Sequence, residues 1–322
     1  MLDSPLPKNQ NERRKEKYLI DVFVPNHSRG LMVDALVMQK VLGADKVRIL
    51  SIPAQACSNS IGANDDNIKF EPQAEIAVFV ERLFQHSKFD MYKKRVFLSN
   101  PEWMTKGDKE LANLIISEFW HKSFFTMNFM RELFPQKTHE YLGFTSLRDS
   151  SKAKNYESFA HFRGRSQTRH TQEVINIWLQ EIKLPKLTLQ MYGGDISIPQ
   201  WIDFKNIRMF NGFLEESDLQ LEFVTHGIHI CTSQMEGFGH YINEARSIGA
   251  LIITLDAPPM NELIDSSCGI LIPARTFFRH NYGYRFIATQ NDIRDGILRA
   301  LEMPLWIREE LGEKARQRFQ KE

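Results

Sequence analysis

Residues 233–245, SQMEGFGHYINEA, set two glycines around a phenylalanine and two glutamates eight positions apart. The stretch lies between two short apolar runs, 227–232 (GIHICT) and 250–254 (ALIIT). Such runs, bounded by turn residues, read as buried strands of a parallel sheet, and the residues between them as a loop feeding a helix. In an open parallel sheet, ligands settle beyond the carboxyl ends of the strands, at these junctions. Gly237 and Gly239 let backbone N–H groups approach a ligand without interference from a Cβ. The helix that follows offers free amides and the positive end of its dipole, which suits phosphate. Glu244 falls about a turn into that helix, where a carboxylate accepts from ribose hydroxyls, and Glu236 precedes the glycines, placed for sugar hydroxyls. The plain alternative is a tight turn followed by a solvated first helical turn, and a GFG alone does not separate the two.

Working outward, strands and helices alternate along most of the chain. Tyr18–Val24, Val47–Ile52 and Arg95–Ser99 read as strands, with Leu31–Leu42 a buried helix after the turn PNHSRG (25–30). Glu75–Phe84 reads as a helix, Leu111–Glu118 as strand or helix, and Thr126–Phe134 as a helix stopped by Pro135. Residues 54–75 read as a long polar loop, and the serine-rich stretch 145–157 as an interdomain linker. Beyond it, Ser158–Phe162, Leu187–Met191, Asn206–Phe210, Ile228–Thr232, Leu251–Thr254 and Gly269–Ile272 are expected strands. Gln172–Ile182, Ser217–Thr225, Gly239–Ile248, Asp292–Leu301 and Ile307–Phe319 are expected helices. The fold class is therefore α/β, with two successive Rossmann-like βαβ domains. Their expected bounds are a flexible tail at 1–17, a first domain at 18–150 and a second at 151–322.

Composition excludes several classes. A chain of 322 residues, 42% apolar and 25% charged, has the mass for about two globular domains. Forty-one basic against forty acidic residues leave a charge of +1, which disfavours a dedicated nucleic-acid binder. The polar N-terminus has no apolar core of a secretory signal, and no run approaches a membrane span. Three scattered cysteines without CxxC spacing point to a reduced, cytoplasmic protein without a zinc site. The basic clusters RRKEK (13–17) and YKKR (92–95) are compatible with a peripheral position at an acidic membrane surface.

Glu236 and Glu244, with seven residues between them around GFG, resemble the Glu-x7-Glu motif of retaining glycosyltransferases of the GT-B architecture, the family-four or "group one" class. Other segments follow in the order the family shows. SFAHFRGRSQTRHTQEVI (158–175) resembles its strand, Gly-Arg/Lys turn, second basic residue and helix. LTLQMYGGD (187–195) resembles the next strand and glycine turn, and GALIITLDAPPMNELI (249–264) with CGILIP (268–273) the segments that close the nucleotide-sugar pocket. The resemblance implies sheets facing a central cleft, with an acceptor domain first, a donor domain second and a last helix packing back across onto the first.

It also implies roles. Arg165 and Arg169 would clamp the donor diphosphate, bidentate guanidinium forks being suited to phosphate oxygens and to a leaving nucleotide. The second basic position is usually lysine, which leaves Arg169 and His170 as alternatives for it. Glu236, Gly237, Phe238 and Gly239 would hold the sugar and Glu244 the ribose, while Met260, Asn261 and Glu262 would present amides and a carboxylate to sugar and phosphate. Phe213 and Leu214 would border the base. In the first half, Ser28, Arg29 and Gly30 would approach the donor phosphate, Asn100 and Glu102 of NPEW (100–103) the acceptor, and His27, His86 or His121 would supply the family's histidine.

No Asp-x-Asp, His-Glu-x-x-His, Walker loop or complete G-x-G-x-x-G is present. The expected chemistry is metal-independent transfer from a nucleotide-diphosphate sugar, with no cofactor, to a glycan, lipid-linked or other hydroxyl acceptor. The alternatives are a nucleotide-sugar-binding regulatory protein without turnover, and a transferase acting on a modified nucleic-acid base, which the near-neutral charge disfavours.

Overall fold

A computed structural model describes residues 18–26, 29–53, 66–147, 152–153, 155–181, 183–192, 206–212 and 214–322. The expectations for the tail 1–17, His27, Ser28, most of the 54–75 loop, part of the linker, the glycine turn after Tyr192 and Phe213 lie outside them.

The first half forms one parallel sheet of six strands: β1 (Ile20–Pro25), β2 (Val47–Ile52), β3 (Ile76–Val80), β4 (Lys94–Leu98), β5 (Glu118–His121) and β6 (Thr138–Tyr141), in the order β2-β1-β3-β4-β5-β6. Helices α1 (Arg29–Leu42), α2 (Lys106–Ile115) and α3 (Phe124–Leu133) connect strands of this sheet. One expectation changes here, one open segment is resolved and one strand is new. Glu75–Phe84, read as a helix, contains the inner strand β3, because the unbroken apolar run IAVFV fits a strand covered on both faces as well as a buried helix. The ambiguous 111–118 segment divides into the end of α2 and the start of β5. The short strand β6 carried no apolar pattern, since three of its four residues are exposed.

The second half is also a parallel six-stranded sheet: β7 (Asn155–Gly164), β8 (Leu187–Met191), β9 (Ile207–Asn211), β10 (His226–Cys231), β11 (Leu251–Asp256) and β12 (Ile270–Pro273). Its order, β12-β11-β10-β7-β8-β9, is the Rossmann 3-2-1-4-5-6 arrangement read from the other edge. Helices α4 (Thr171–Gln180), α5 (Glu216–Thr225), α6 (His240–Ser247) and the short α7 (Met260–Leu263) follow its strands, and α8 (Gln290–Glu302) and α9 (Leu305–Lys321) close the chain. Between β12 and α8 stands an antiparallel hairpin, β13 (Arg275–His280) and β14 (Gly283–Ile287), which the sequence analysis did not anticipate.

The carboxyl ends of both sheets meet. Asp34, on α1, accepts from Lys122 Nζ after β5 at 2.8 Å and from His240 Nε2 at the start of α6, also at 2.8 Å. Glu262, on α7, accepts from the backbone amides of Phe124 (2.8 Å) and Phe125 (2.7 Å) and so caps α3 from the opposite half. The hairpin tip reaches across as well: Tyr282 N donates to Pro101 O (3.2 Å) and Asn281 Nδ2 to Glu102 O (2.8 Å). Helix α9 packs on α6, and its Arg318 and the following Glu322 line a cavity together with Lys122 and Tyr141 of the first half.

Asp34 is buried and holds two partners, so removing it strands a buried ammonium. Asp34→Ala is expected to destabilise the protein by about 3–5 kcal/mol, measured by denaturant unfolding, because an unpaired buried charge is left behind. A loss below about 1 kcal/mol would show that the contact does not hold the halves together.

Candidate functional site

The switch point of the second sheet lies between β7 and β10, and the two loops that leave those strands carry the strongest candidates. After β7, Arg165 is exposed, its guanidinium 4.6 Å over the Tyr192 ring. Arg169 lies deeper: it stacks 3.7 Å over Tyr241, donates through Nη1 to Phe162 O at 2.6 Å, and brings Nη2 to 3.7 Å from Glu236 Oε1. Its Nε is buried without a hydrogen-bond partner. The alternative to Arg169, His170, is buried and spends both ring nitrogens on backbone, Nδ1 with Thr232 O (2.9 Å) and Nε2 with Ala288 N (3.2 Å). Burial holds its imidazole below the ordinary value. Of the pair, Arg169 is the one that faces Glu236.

After β10, the chain runs through Thr232–Gly239 into α6. Glu236 Oε1 accepts from Ser233 Oγ at 2.7 Å, and Ser233 N donates to Tyr241 Oη at 3.1 Å, which folds the loop back on the first turn of the helix. Gly239 caps α6 with φ 99°, a left-handed conformation that favours glycine. Gly237 meets the first half: a Cβ there would sit 2.0 Å from Asn100 Oδ1. Phe238 is buried edge-on against Phe144 at 5.5 Å. Glu244 is half-buried in α6, about a turn beyond Gly239.

The third segment begins α7. The Glu262 carboxylate is occupied by the α3 amides, and the Met260 side chain is fully buried. Asn261 donates to Asp256 Oδ1 at 3.0 Å. The side chains of this segment are thus spent within the protein. Gly30 sits exposed in the first turn of α1, and Leu214 is half-buried before α5. His86 contacts Ile68 O at 3.1 Å; His121 Nε2 contacts the His139 ring at 2.9 Å while its Nδ1 is buried without a partner, and burial pushes it down to about 3.

The facing wall comes from the first sheet, whose own switch point lies between β1 and β3. Glu81 directly follows β3 with φ 64°. Asn100 Nδ2 donates to Glu81 Oε2 at 2.7 Å. Glu102 is buried under the hairpin, where a Cβ on Gly283 would lie 2.8 Å from its Cβ. Burial, reinforced by Glu81 and Glu236, pushes the Glu102 carboxyl up to about 8. Burial likewise raises Glu81, and the bond from Asn100 opposes it. Burial would raise Asp34 too, but Lys122 and His240 hold it below the usual carboxylate range. Asn100 and Glu102 were legible in the sequence. Asp34, Glu81, Lys122 and His240 were not, since no local pattern marks a residue whose partners lie in other loops.

Beside Lys122 opens a cavity of about 470 Å3, lined by Phe124, Tyr141, Phe144, Phe238 and Arg318 among others. Among the described residues, no three His, Cys, Asp or Glu side chains are grouped so as to hold a metal ion, and no helix is long and apolar enough to cross a membrane.

Glu102 makes stability depend on pH. Its folded-state value of about 8 lies above the ordinary 4.5, so folding takes up a proton in that interval and stability falls as pH rises through it. The slope is on the order of 1.4 kcal/mol per pH unit while the folded form alone is protonated. Glu102→Gln, which mimics the protonated acid, is expected to melt well above wild type at about pH 9 and close to it at about pH 5. Equal melting differences at both pH values would overturn this reading.

No family model matches the sequence, and comparison with curated proteins gives no match. Solved structures do match. Sucrose-phosphate synthase from Thermosynechococcus elongatus aligns at 11% identity over 94% of this chain and 94% of its own, with a TM-score of 0.62. Anabaena HepE in complex with UDP and glucose aligns at 12% over 94% and 95%, with a TM-score of 0.61. A trehalose-6-phosphate synthase studied for glycosyl transfer with retention aligns at 9% over 94% and 95%, with a TM-score of 0.62. At these identities the likeness is one of fold, and it spans nearly the whole of each chain: the protein has the two-sheet GT-B fold of these glycosyltransferases.

Proposed function

We propose that the protein is a retaining glycosyltransferase that moves a sugar from a nucleotide-diphosphate sugar to an acceptor hydroxyl without a metal ion. The observation that carries this reading is the meeting of Arg169 with Glu236 at the switch point of the second sheet, beside the amino end of α6. A cation, a carboxylate and free helix amides are what a diphosphate and a sugar ring require at one place. The second half would be the donor domain and the first, to about residue 150, the acceptor domain.

In this reading Arg165 and Arg169 hold the diphosphate, Glu244 the ribose, and Glu236 with the amides of Gly237–Gly239 the sugar. The bond from the anomeric carbon to the diphosphate oxygen breaks, and a bond from that carbon to the acceptor oxygen forms on the same face. The acceptor's proton passes to the leaving phosphate oxygen, so no side-chain base is needed. The guanidinium groups stabilise the charge that develops on the departing diphosphate.

Incubation with nucleotide sugars tests the reading directly. Nucleoside diphosphate and an α-linked product are expected from an α-linked donor, with turnover unchanged by EDTA. Loss of turnover on chelation, restored by magnesium or manganese, would overturn the arginine clamp, and binding without any product would favour a regulatory nucleotide-sugar binder.

The two arginines give a second test. Arg165→Ala and Arg169→Ala are each expected to weaken nucleoside-diphosphate binding by ~1.5–3 kcal/mol while changing nucleoside binding little, by calorimetry. Arg165 is the cleaner probe, because it is exposed, whereas Arg169 also bonds Phe162 O. Equal weakening of both ligands would mean that the substitutions act on folding instead.

A further inference from the structure

The cavity of about 470 Å3 beside Lys122 is not lined by Arg165, Arg169, Glu236 or Glu244, so it stands apart from the side chains assigned above to the donor. It borders the GFG loop through Phe238, and its walls come from both halves of the molecule. The floor is buried and aromatic: Phe144 of the first half lies edge-on to Phe238 at 5.5 Å, and Leu263 of α7 is also buried in the lining. The rim is Phe124 and Tyr141, whose rings stack 4.0 Å apart and stay 51% and 40% exposed. The fold thus leaves aromatic faces uncovered at the mouth of an aromatic pocket.

The charged groups around this space are already paired with one another. Lys122 Nζ donates to Asp34, whose other oxygen takes His240, and His240 Nδ1 meets Ser146 Oγ at 2.8 Å. Arg318 gives Nε to Glu322 (3.0 Å), Nη1 to Asp265 (2.7 Å) and Nη2 to Glu262 O (2.6 Å). Glu322 also takes Arg246 Nη2 at 2.8 Å, and Glu262 holds the two amides of α3. Ser123 Oγ donates to Thr126 Oγ1 at 2.9 Å. Among the described residues this leaves the Tyr141 phenol as the uncommitted polar side chain of the lining. Burial, with Glu322 and Glu262 nearby, raises it above its ordinary value, so it stays a hydrogen-bond donor.

An ion entering such a place loses its water and finds no free counter-charge. An uncharged aromatic ring gains by leaving water, covers the exposed faces of Phe124 and Tyr141, and meets the rings of Phe144 and Phe238. The volume falls in the range of about 300–1,000 Å3 typical of small-molecule pockets, which favour seams between domains. We propose that this cavity is a second ligand site, distinct from the donor site, and that it takes a small uncharged aromatic molecule bearing a hydroxyl or carbonyl oxygen for Tyr141. The lining alone supports the ligand class; that the site is second to a donor site rests on the glycosyltransferase reading above.

The full chain is titrated calorimetrically at neutral pH with three naphthalenes of similar shape: 2-naphthol, the anion 2-naphthoate and the cation of 2-(aminomethyl)naphthalene. 2-Naphthol is expected to bind saturably and at least tenfold more tightly than either ion. No saturable binding of 2-naphthol, or an ion that binds as tightly, overturns the proposal. Two substitutions locate the site. Phe124→Ala and Tyr141→Ala each remove a half-exposed ring, and Phe124→Ala keeps the backbone amide that Glu262 holds. Each is expected to weaken 2-naphthol at least fivefold with a melting temperature near wild type. Unchanged affinity in a folded variant places the probe elsewhere and overturns the assignment.

Nucleotide titrations separate this site from the donor reading. UDP, ADP and GDP are each added to the 2-naphthol complex, and the nucleotide that binds is expected to do so without displacing 2-naphthol. Stoichiometric displacement would make the cavity part of the donor site and overturn its independence. A protein that binds 2-naphthol but none of the three nucleotides would keep the cavity site and sink the donor reading.

Discussion

Asp34 is a buried carboxylate whose two oxygens are divided between the halves of the molecule: one takes Lys122 from the same sheet, the other His240 from the opposite one. A carboxylate without water needs both partners, so electrostatics fixes the seam at this point, alongside an apolar cluster that runs through both halves. His240 is the first residue of α6, directly after the GFG loop, and its Nδ1 meets Ser146 Oγ at 2.8 Å. The loop that would carry the sugar is thereby tied at its carboxyl end to α1 and to the last turns before the second sheet. Gly237 against Asn100, and Glu262 on the α3 amides, continue the same seam.

The two sheets present their switch points to one another, and chemistry divides along that line. On the second-sheet side are guanidinium groups, a helix amino end and one carboxylate, a set suited to charge that is about to leave. On the first-sheet side are Glu102, whose carboxyl burial pushes up to about 8, an amide oxygen packed against Gly237 and an ammonium already committed to Asp34. The polarity of the cleft thus follows from which loops each sheet sends into it.

Much of this was legible from short stretches. The GFG segment announced a strand-to-helix junction because glycine spacing and flanking apolar runs are local signals. The structure brings Arg169 and Glu236 within 3.7 Å, as a shared cleft requires. What failed to show is equally physical. IAVFV has no alternation, since both faces of an inner parallel strand are covered, and so it passed for a helix. The hairpin after β12 is half-exposed and carries mixed residues, which gives no period to read. Asp34 and Lys122 are 88 residues apart, and Asp34 and His240 206 apart, so nothing in either neighbourhood identifies the pair. Glu262 spends its carboxylate on the amides of Phe124 and Phe125, partners 138 and 137 residues away that a local motif does not contain.

The β13–β14 hairpin divides its hydrogen bonds unequally. Its stem belongs to the second half, where Phe286 N donates to Gln234 O and Arg285 reaches the Gln234 side chain. Its tip, Asn281–Gly283, bonds the Pro101–Glu102 loop, while Tyr284 and Arg279 of the stem lie against Phe125 and Phe129 of α3 through ring and cation–π contacts. If the stem keeps its bonds to Gln234 as the cleft opens, the break runs along the tip and along the aromatic contacts to α3, like a latch with two catches. Water reaching Glu102 on unlatching would remove the burial that keeps its proton, so the open and closed forms would differ by a proton as well as by shape.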